Sequence, residues 1–138
     1  MAYNRNRRGP DPAGAFLVLE GVVAVIGFEC TLVLPPTTVW PGHLALPDDL
    51  VADLGLGDTL LSAGARTTPW TPSPRDIEVA TALVTAQLLR VGPLEQRLAR
   101  LAALCDVHAQ GTETSAHLLG TTRESLSKFL NQRRHAAD

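Results

Sequence analysis

The chain has 138 residues, 45 % of them hydrophobic and 19 % charged, which suits one compact domain or two small ones and excludes a disordered chain. The net charge of −2 excludes a uniformly polycationic nucleic-acid binder. The charges are segregated, however: Arg5, Arg7 and Arg8 lie near the start, Arg123, Lys128, Arg133 and Arg134 near the end, and Asp48, Asp49, Asp53 and Asp58 between them.

In chain order, residues 1–14 read as a flexible basic arm, rich in Asn, Arg, Gly and Pro and without apolar periodicity. From Ala15 the texture is β. The runs Phe16–Leu19, Val22–Ile26 and Cys30–Leu34, the short Val39-Trp40 and the segment Asp58–Leu61 are separated by Gly and Pro turn signals. Leu50 to Leu61 is ambiguous between a helical turn and a strand. Trp40 and Trp70 are expected to pack the β core. Thr67 to Pro74 reads as a linker ending in a helix start, with Ser73 as N-cap, Pro74 in the first helical position and Asp76 at the positive helix end. The helix is predicted to run to about Val91. Ile77, Val84 and Val91 recur every seven residues with Leu88 on the same side, a stripe that suits a dimer seam. Gly92-Pro93 breaks it. Leu94, Leu98, Leu101, Leu104 and Cys105 then form one face of the next helix, and Glu95, Gln96, Arg97 and Arg100 the other.

The last segment holds two helical patterns around a tight turn. The first runs over about Thr114–Leu119, with Ala116 small enough for a close crossing, and Gly120 suits a left-handed stop. Thr121 or Thr122 caps the second helix, and Thr121 with Glu124 fits a capping box. Leu126, Phe129 and Leu130 make its apolar face, while Arg123, Glu124, Ser127 and Lys128 point the other way. Such a helix start presents an arginine able to pair with guanine, a glutamate able to accept from cytosine, and hydroxyls and N–H groups for a phosphate.

The run GTTRESLSKFLNQRR resembles the recognition segment of the Crp/Fnr family of transcription regulators in its unbroken order of glycine, hydroxyl, Arg-Glu and basic residue. The resemblance implies that Arg123, Glu124 and Lys128 stand at base-reading positions and Thr121 and Thr122 at the phosphate-contacting start. Ser127 on the polar face and the basic pair Arg133-Arg134 complete the expected DNA-binding set. Upstream, LEQRLARLAALC is similar to the first helix of that family's DNA-binding domain, and FLVLEGVVAVIG and VLPPTTVWPGHLAL to later strands of its β-roll. The family's cyclic-nucleotide cassette is not recognisable, Gly64-Ala65-Arg66-Thr67 being only a faint echo, and the β-hairpin wing does not follow Arg134.

The expected fold is therefore α+β. A basic arm (1–14) precedes a reduced, β-roll-like or sandwich sensor domain (15–72), a dimerisation helix (73–92) using Ile77, Val84, Leu88 and Val91, and a helix-turn-helix without a wing (93–138). The expected function is homodimeric, sequence-specific binding of double-stranded DNA. RNA polymerase or a full-length family member are the protein partners the resemblance implies. Two alternatives stay open: a truncated module that heterodimerises with a full-length regulator, and a β domain that senses a small ligand with DNA binding secondary. Cys30 and Cys105 lack metal spacing and are expected as buried thiols. His43, His108, His117 and His135 show no ligand pattern. No metal, cofactor or catalytic residue is expected, and the chain does not read as an enzyme. The polar N-terminus and short apolar runs lead to the expectation of a cytoplasmic protein with no membrane association.

Overall fold

In a computed structural model, residues 8–52 and 54–137 are described; the expectations attached to Arg5, Arg7 and Asp53 lie outside them. The fold is mixed α+β and divides into two compact units, Met1–Val84 and Thr85–Asp138. The division falls inside a helix.

The first unit holds two three-stranded antiparallel sheets. β1 (Phe16–Glu20) lies between β4 (Val39–Trp40) and β6 (Arg66–Pro69), and β2 (Val23–Ile26) lies between β3 (Thr31–Leu34) and β5 (Asp58–Leu61). Alternation decides which side each strand buries. Phe16 and Val18, Val23 and Val25, and Leu32 and Leu34 are all buried. The register aligns them: Val25 faces Leu32 on one side and Thr59 on the other, and Val23 faces Leu34. Trp40, opposite Phe16, is fully buried. Its indole N–H would be costly to leave unpaired there, and it donates to Pro12 O at 2.8 Å. Buried Thr59 donates to Pro10 O at 2.6 Å.

Those two bonds correct the picture of a free arm reaching residue 14. Arg8 bridges to Leu60, Gly9 N donates to Thr59 O, and His43 N donates to Pro12 O, so residues 8–12 run along β5 and under Trp40. β6 is a second difference, because its Thr-rich sequence ending in Pro69 reads as linker. It pairs with β1 through Leu17–Thr68 and Val18–Thr67. Proline is tolerated because β6 is an edge strand, where a missing N–H breaks no ladder bond. Trp70, just beyond it, is 45 % exposed rather than part of the core. The ambiguous segment begins inside α1 (Asp48–Val51), a single turn, and ends in β5.

α2 (Pro74–Gln87) starts on a reciprocal capping box. Ser73 N donates to Asp76 Oδ2 at 2.9 Å and Asp76 N to Ser73 Oγ at 3.1 Å, satisfying two N–H groups that a helix start leaves open. The accepted Ser73 N–H holds the Asp76 carboxyl below the ordinary aspartate range. The helix ends at Gln87, short of the predicted Val91. Bonds from Leu88 N to Thr85 O, Leu89 N to Ala86 O and Val91 N to Leu88 O tighten its end into a 3-10-like turn, and Gly92 then takes a positive φ of 85°.

The second unit is helical: α3 (Leu94–Leu104), α4 (Val107–Gln110), α5 (Thr112–Leu119) and α6 (Arg123–Ala137). Leu98, Leu101, Ala116, Leu119 and Leu126 form its buried centre, flanked by half-buried Leu94, Cys105, Val107, Phe129 and Leu130. Leu104, expected in that core, is 41 % exposed. Cys30 and Cys105 are only half-buried, against the expectation of burial. Among the described residues, no helix is long and apolar enough to cross a membrane.

Candidate nucleic-acid interface

The turn between α5 and α6 sets which side chains reach solvent. Gly120 closes α5 in the left-handed region at φ 68°, ψ 35°. Thr121 N donates back to Ala116 O at 3.0 Å and Gly120 N to His117 O at 3.3 Å. This paired closure satisfies carbonyls left open at the helix end and suits glycine, which has no Cβ to clash at positive φ. Thr121 is therefore consumed by the turn, and the cap falls one residue later. Ser125 N donates to Thr122 Oγ1 at 3.1 Å, and the Thr122 hydroxyl donates to Ser125 Oγ at 2.9 Å. The predicted Thr121–Glu124 box is thus replaced by a Thr122–Ser125 pair, and Glu124 stays exposed.

The turn rests on a small core. Buried Ala116 and Leu119 on α5 meet buried Leu126 on α6, and the absence of bulk at Ala116 lets the helices approach closely. Three arginines brace the carbonyl ends around it. Arg90 donates to His117 O and Leu118 O, and Arg97 to Leu119 O and Gly92 O. Arg100 takes the carbonyls of Leu88 and Val91, freed where α2 ends. Arg97 and Arg100 are thus half-buried braces rather than members of a solvent face. Cations at helix C-termini also offset the negative end of the helix dipole.

With its core side fixed, α6 turns Arg123, Glu124 and Lys128 to solvent, with Ser127 half-buried. Thr122 is exposed and Thr121 half-buried. Among the described residues the ion pairs are Arg66–Glu20 and Arg75–Glu78, so Arg123 and Lys128 are in none. Glu124, Lys128, Asn131 and His135 follow one another at helical spacing and all are exposed. Asn131 and His135 are absent from the sequence expectation, although their spacing from Lys128 marks them as the same face. Arg133 and Arg134 are placed elsewhere. They lie beyond Leu130 on the side that carries Leu126, where both line a groove, and the Arg133 guanidinium sits 5.8 Å from the centre of the Phe129 ring.

The dimer stripe is only partly exposed. Val84 and Leu88 are 0 % exposed in the single chain, while Ile77 and Val91 are half-buried. The accessible apolar residues of α2 are Val79, 49 % exposed, with Ala82 and Ala86 exposed at the following turns. In the first unit Arg66, the end of the faint nucleotide-cassette echo, forks its guanidinium onto Glu20 with two 3.2 Å bonds. Among the described residues no group of three or more His, Cys, Asp or Glu side chains is placed to hold a metal.

No protein-family model matches the chain, and no curated protein matches it either. Among solved structures it is similar to a CRP-family transcriptional regulator from Thermus thermophilus. The identity is 19 %, the overlap covers 99 % of this chain and 86 % of that one, and the TM-score is 0.38. At that level of likeness, function has to be read from the geometry of α5 and α6.

Proposed function

We propose that α5 and α6 form a helix-turn-helix that binds double-stranded DNA, and that the protein is a transcription regulator, cytoplasmic and not an enzyme. The supporting observation is the start and outer side of α6. Thr122 and Arg123 are exposed in its first turn, and Glu124 and Lys128 are exposed on the side opposite buried Leu126. A helix held this way can enter a major groove with its first turn at the base edges, Arg123 donating to guanine and Glu124 accepting from cytosine. Thr121, Thr122 and the open N–H groups of the first turn suit a flanking phosphate, and Ser127, Lys128 and Asn131 extend the contact along the groove.

The protein acts as a homodimer in this proposal, because two such helices a DNA turn apart read a palindrome. With Val84 and Leu88 already buried, the seam falls on the accessible side of α2 at Val79, Ala82 and Ala86. Val79→Glu is expected to convert a sedimenting dimer to monomer; a wild-type monomer at micromolar concentration overturns the dimer.

Selection from randomised duplexes at fixed salt, followed by mobility shift, tests DNA binding. The expected result is a preferred site that Arg123→Ala binds more weakly by about 1–3 kcal/mol, with one position relaxed. An intact protein with no duplex binding at low salt overturns the proposal.

A further inference from the structure

A groove of about 700 Å³ opens in the helical unit along the core side of α6. Its apolar lining includes Leu98, Ala102, Val107, Leu126 and Leu130. A helix side that begins Leu126, Leu130 would ordinarily continue with another apolar residue. Here it continues with Arg133 and Arg134, both exposed and both lining the groove. An apolar trough is thus bordered by two arginines.

We propose that this groove binds an amphipathic organic anion, with an aliphatic body lying on Ala102, Val107 and Leu130 and a carboxylate head held by Arg133 and Arg134. The volume falls within the roughly 300–1,000 Å³ of small-molecule sites. A guanidinium matches a planar carboxylate through forked N–H donors, and either arginine can supply that fork while the other adds charge. Several other polar groups of the wall are engaged within the protein. Cys105 Sγ donates to Gln110 Oε1, and Gln110 Nε2 donates to the Oγ of buried Ser115. Asp106, the carboxylate on the lining, accepts from His108 N and Ala109 N as the cap of α4. The two arginines are the permanently charged donors on the lining and so the groups suited to a head group. The site lies on a different side of α6 from Glu124 and Lys128, and it stands whether or not that outer side binds DNA.

The test is calorimetric titration of the full chain with octanoate and, in parallel, with 1-octanol, which keeps the chain and lacks the charge. Octanoate is expected to bind saturably at one site and more tightly than octanol. Arg133→Gln/Arg134→Gln should weaken octanoate by about tenfold or more, the loss of charge-assisted bonds, while leaving octanol unchanged. Ala102→Trp, at an exposed position where folding is not at stake, should abolish both; circular dichroism and thermal melting confirm that each variant is folded. Octanoate binding that survives Ala102→Trp, or that is indifferent to the arginine double variant, overturns the proposal. So does association of two copies that Ala102→Trp abolishes without any octanoate uptake, which would put a second copy of the chain in the groove.

Discussion

The two sides of α6 show how one helix separates residues that are close in sequence. One side carries Glu124, Lys128, Asn131 and His135, all exposed. The other carries Leu126, which is 0 % exposed, then Leu130 and Arg133 at the groove. Lys128 and Arg133 look like one basic cluster on paper. At about 100° per residue they point about 140° apart, so Lys128 stands on the outer side while Arg133, also exposed, borders the groove. Basic residues near a helix end are therefore not one functional group, and their chemistry divides according to the side each occupies.

The largest effect is expected from removing the anchor that both sides share. Leu126→Ala deletes a fully buried side chain and is expected to cost about 2–5 kcal/mol. Chemical denaturation should show the loss, and DNA binding and octanoate binding should fall together. The two sides should separate when they are changed one at a time. Arg123→Ala, in the first turn between the two sides, should cost about 1–3 kcal/mol of specific DNA affinity, with thermal stability nearly unchanged. Lys128→Gln should flatten the slope of log K against log salt by about 0.9, while Arg133→Gln should leave that slope alone. A slope that responds equally to both would place Arg133 against the DNA backbone and erase the distinction between the sides.

A smaller effect sharpens the position of the turn. Thr122→Ala removes the hydroxyl that accepts from Ser125 N and should cost about 1 kcal/mol in urea denaturation. Thr121→Ala, whose main chain rather than its side chain closes α5, should cost clearly less. The reverse order would restore the Thr121–Glu124 cap. The smallest effect belongs to the start of α2. Asp76 is held below the ordinary aspartate range by the Ser73 N–H, so its folded value lies beneath its unfolded one. Its stabilisation is then complete above the unfolded value and is lost as pH falls through the folded value. The melting temperatures of wild type and Asp76→Asn should differ near neutrality and converge in acid. A constant gap across that range would remove the ionised carboxylate as the cause.

Much of this was legible in the chain because it is encoded locally. The β-branched and apolar runs Phe16–Leu19 and Val22–Ile26, bounded by turn residues, marked strands. Ser73-Pro74 marked a helix start, and Gly120 marked a left-handed stop, since each follows from the residue's own stereochemistry. The spacing of Leu126, Phe129 and Leu130 assigned the core side of α6 for the same reason. What escaped was non-local. β6 is a strand because β1 offers it a partner at a sheet edge, a fact that Arg-Thr-Thr-Pro does not contain. Residues 8–12 are held because buried Thr59 and Trp40 need acceptors, and Trp70 remains outside that core.

The α+β class, most helix and strand positions, and the exposure of Arg123, Glu124 and Lys128 on α6 follow from the sequence, because dihedral preference and hydrophobic period act over a few neighbouring residues. Only the tertiary structure decided that Thr122 rather than Thr121 is the cap, that Arg90, Arg97 and Arg100 brace helix ends, that Val84 and Leu88 are buried, and that Arg133 and Arg134 border an apolar groove. Each of these depends on which groups meet across the fold. A buried carbonyl takes whatever donor packing brings to it, and a side chain's neighbours are set by the element opposite rather than by the residues beside it in the chain.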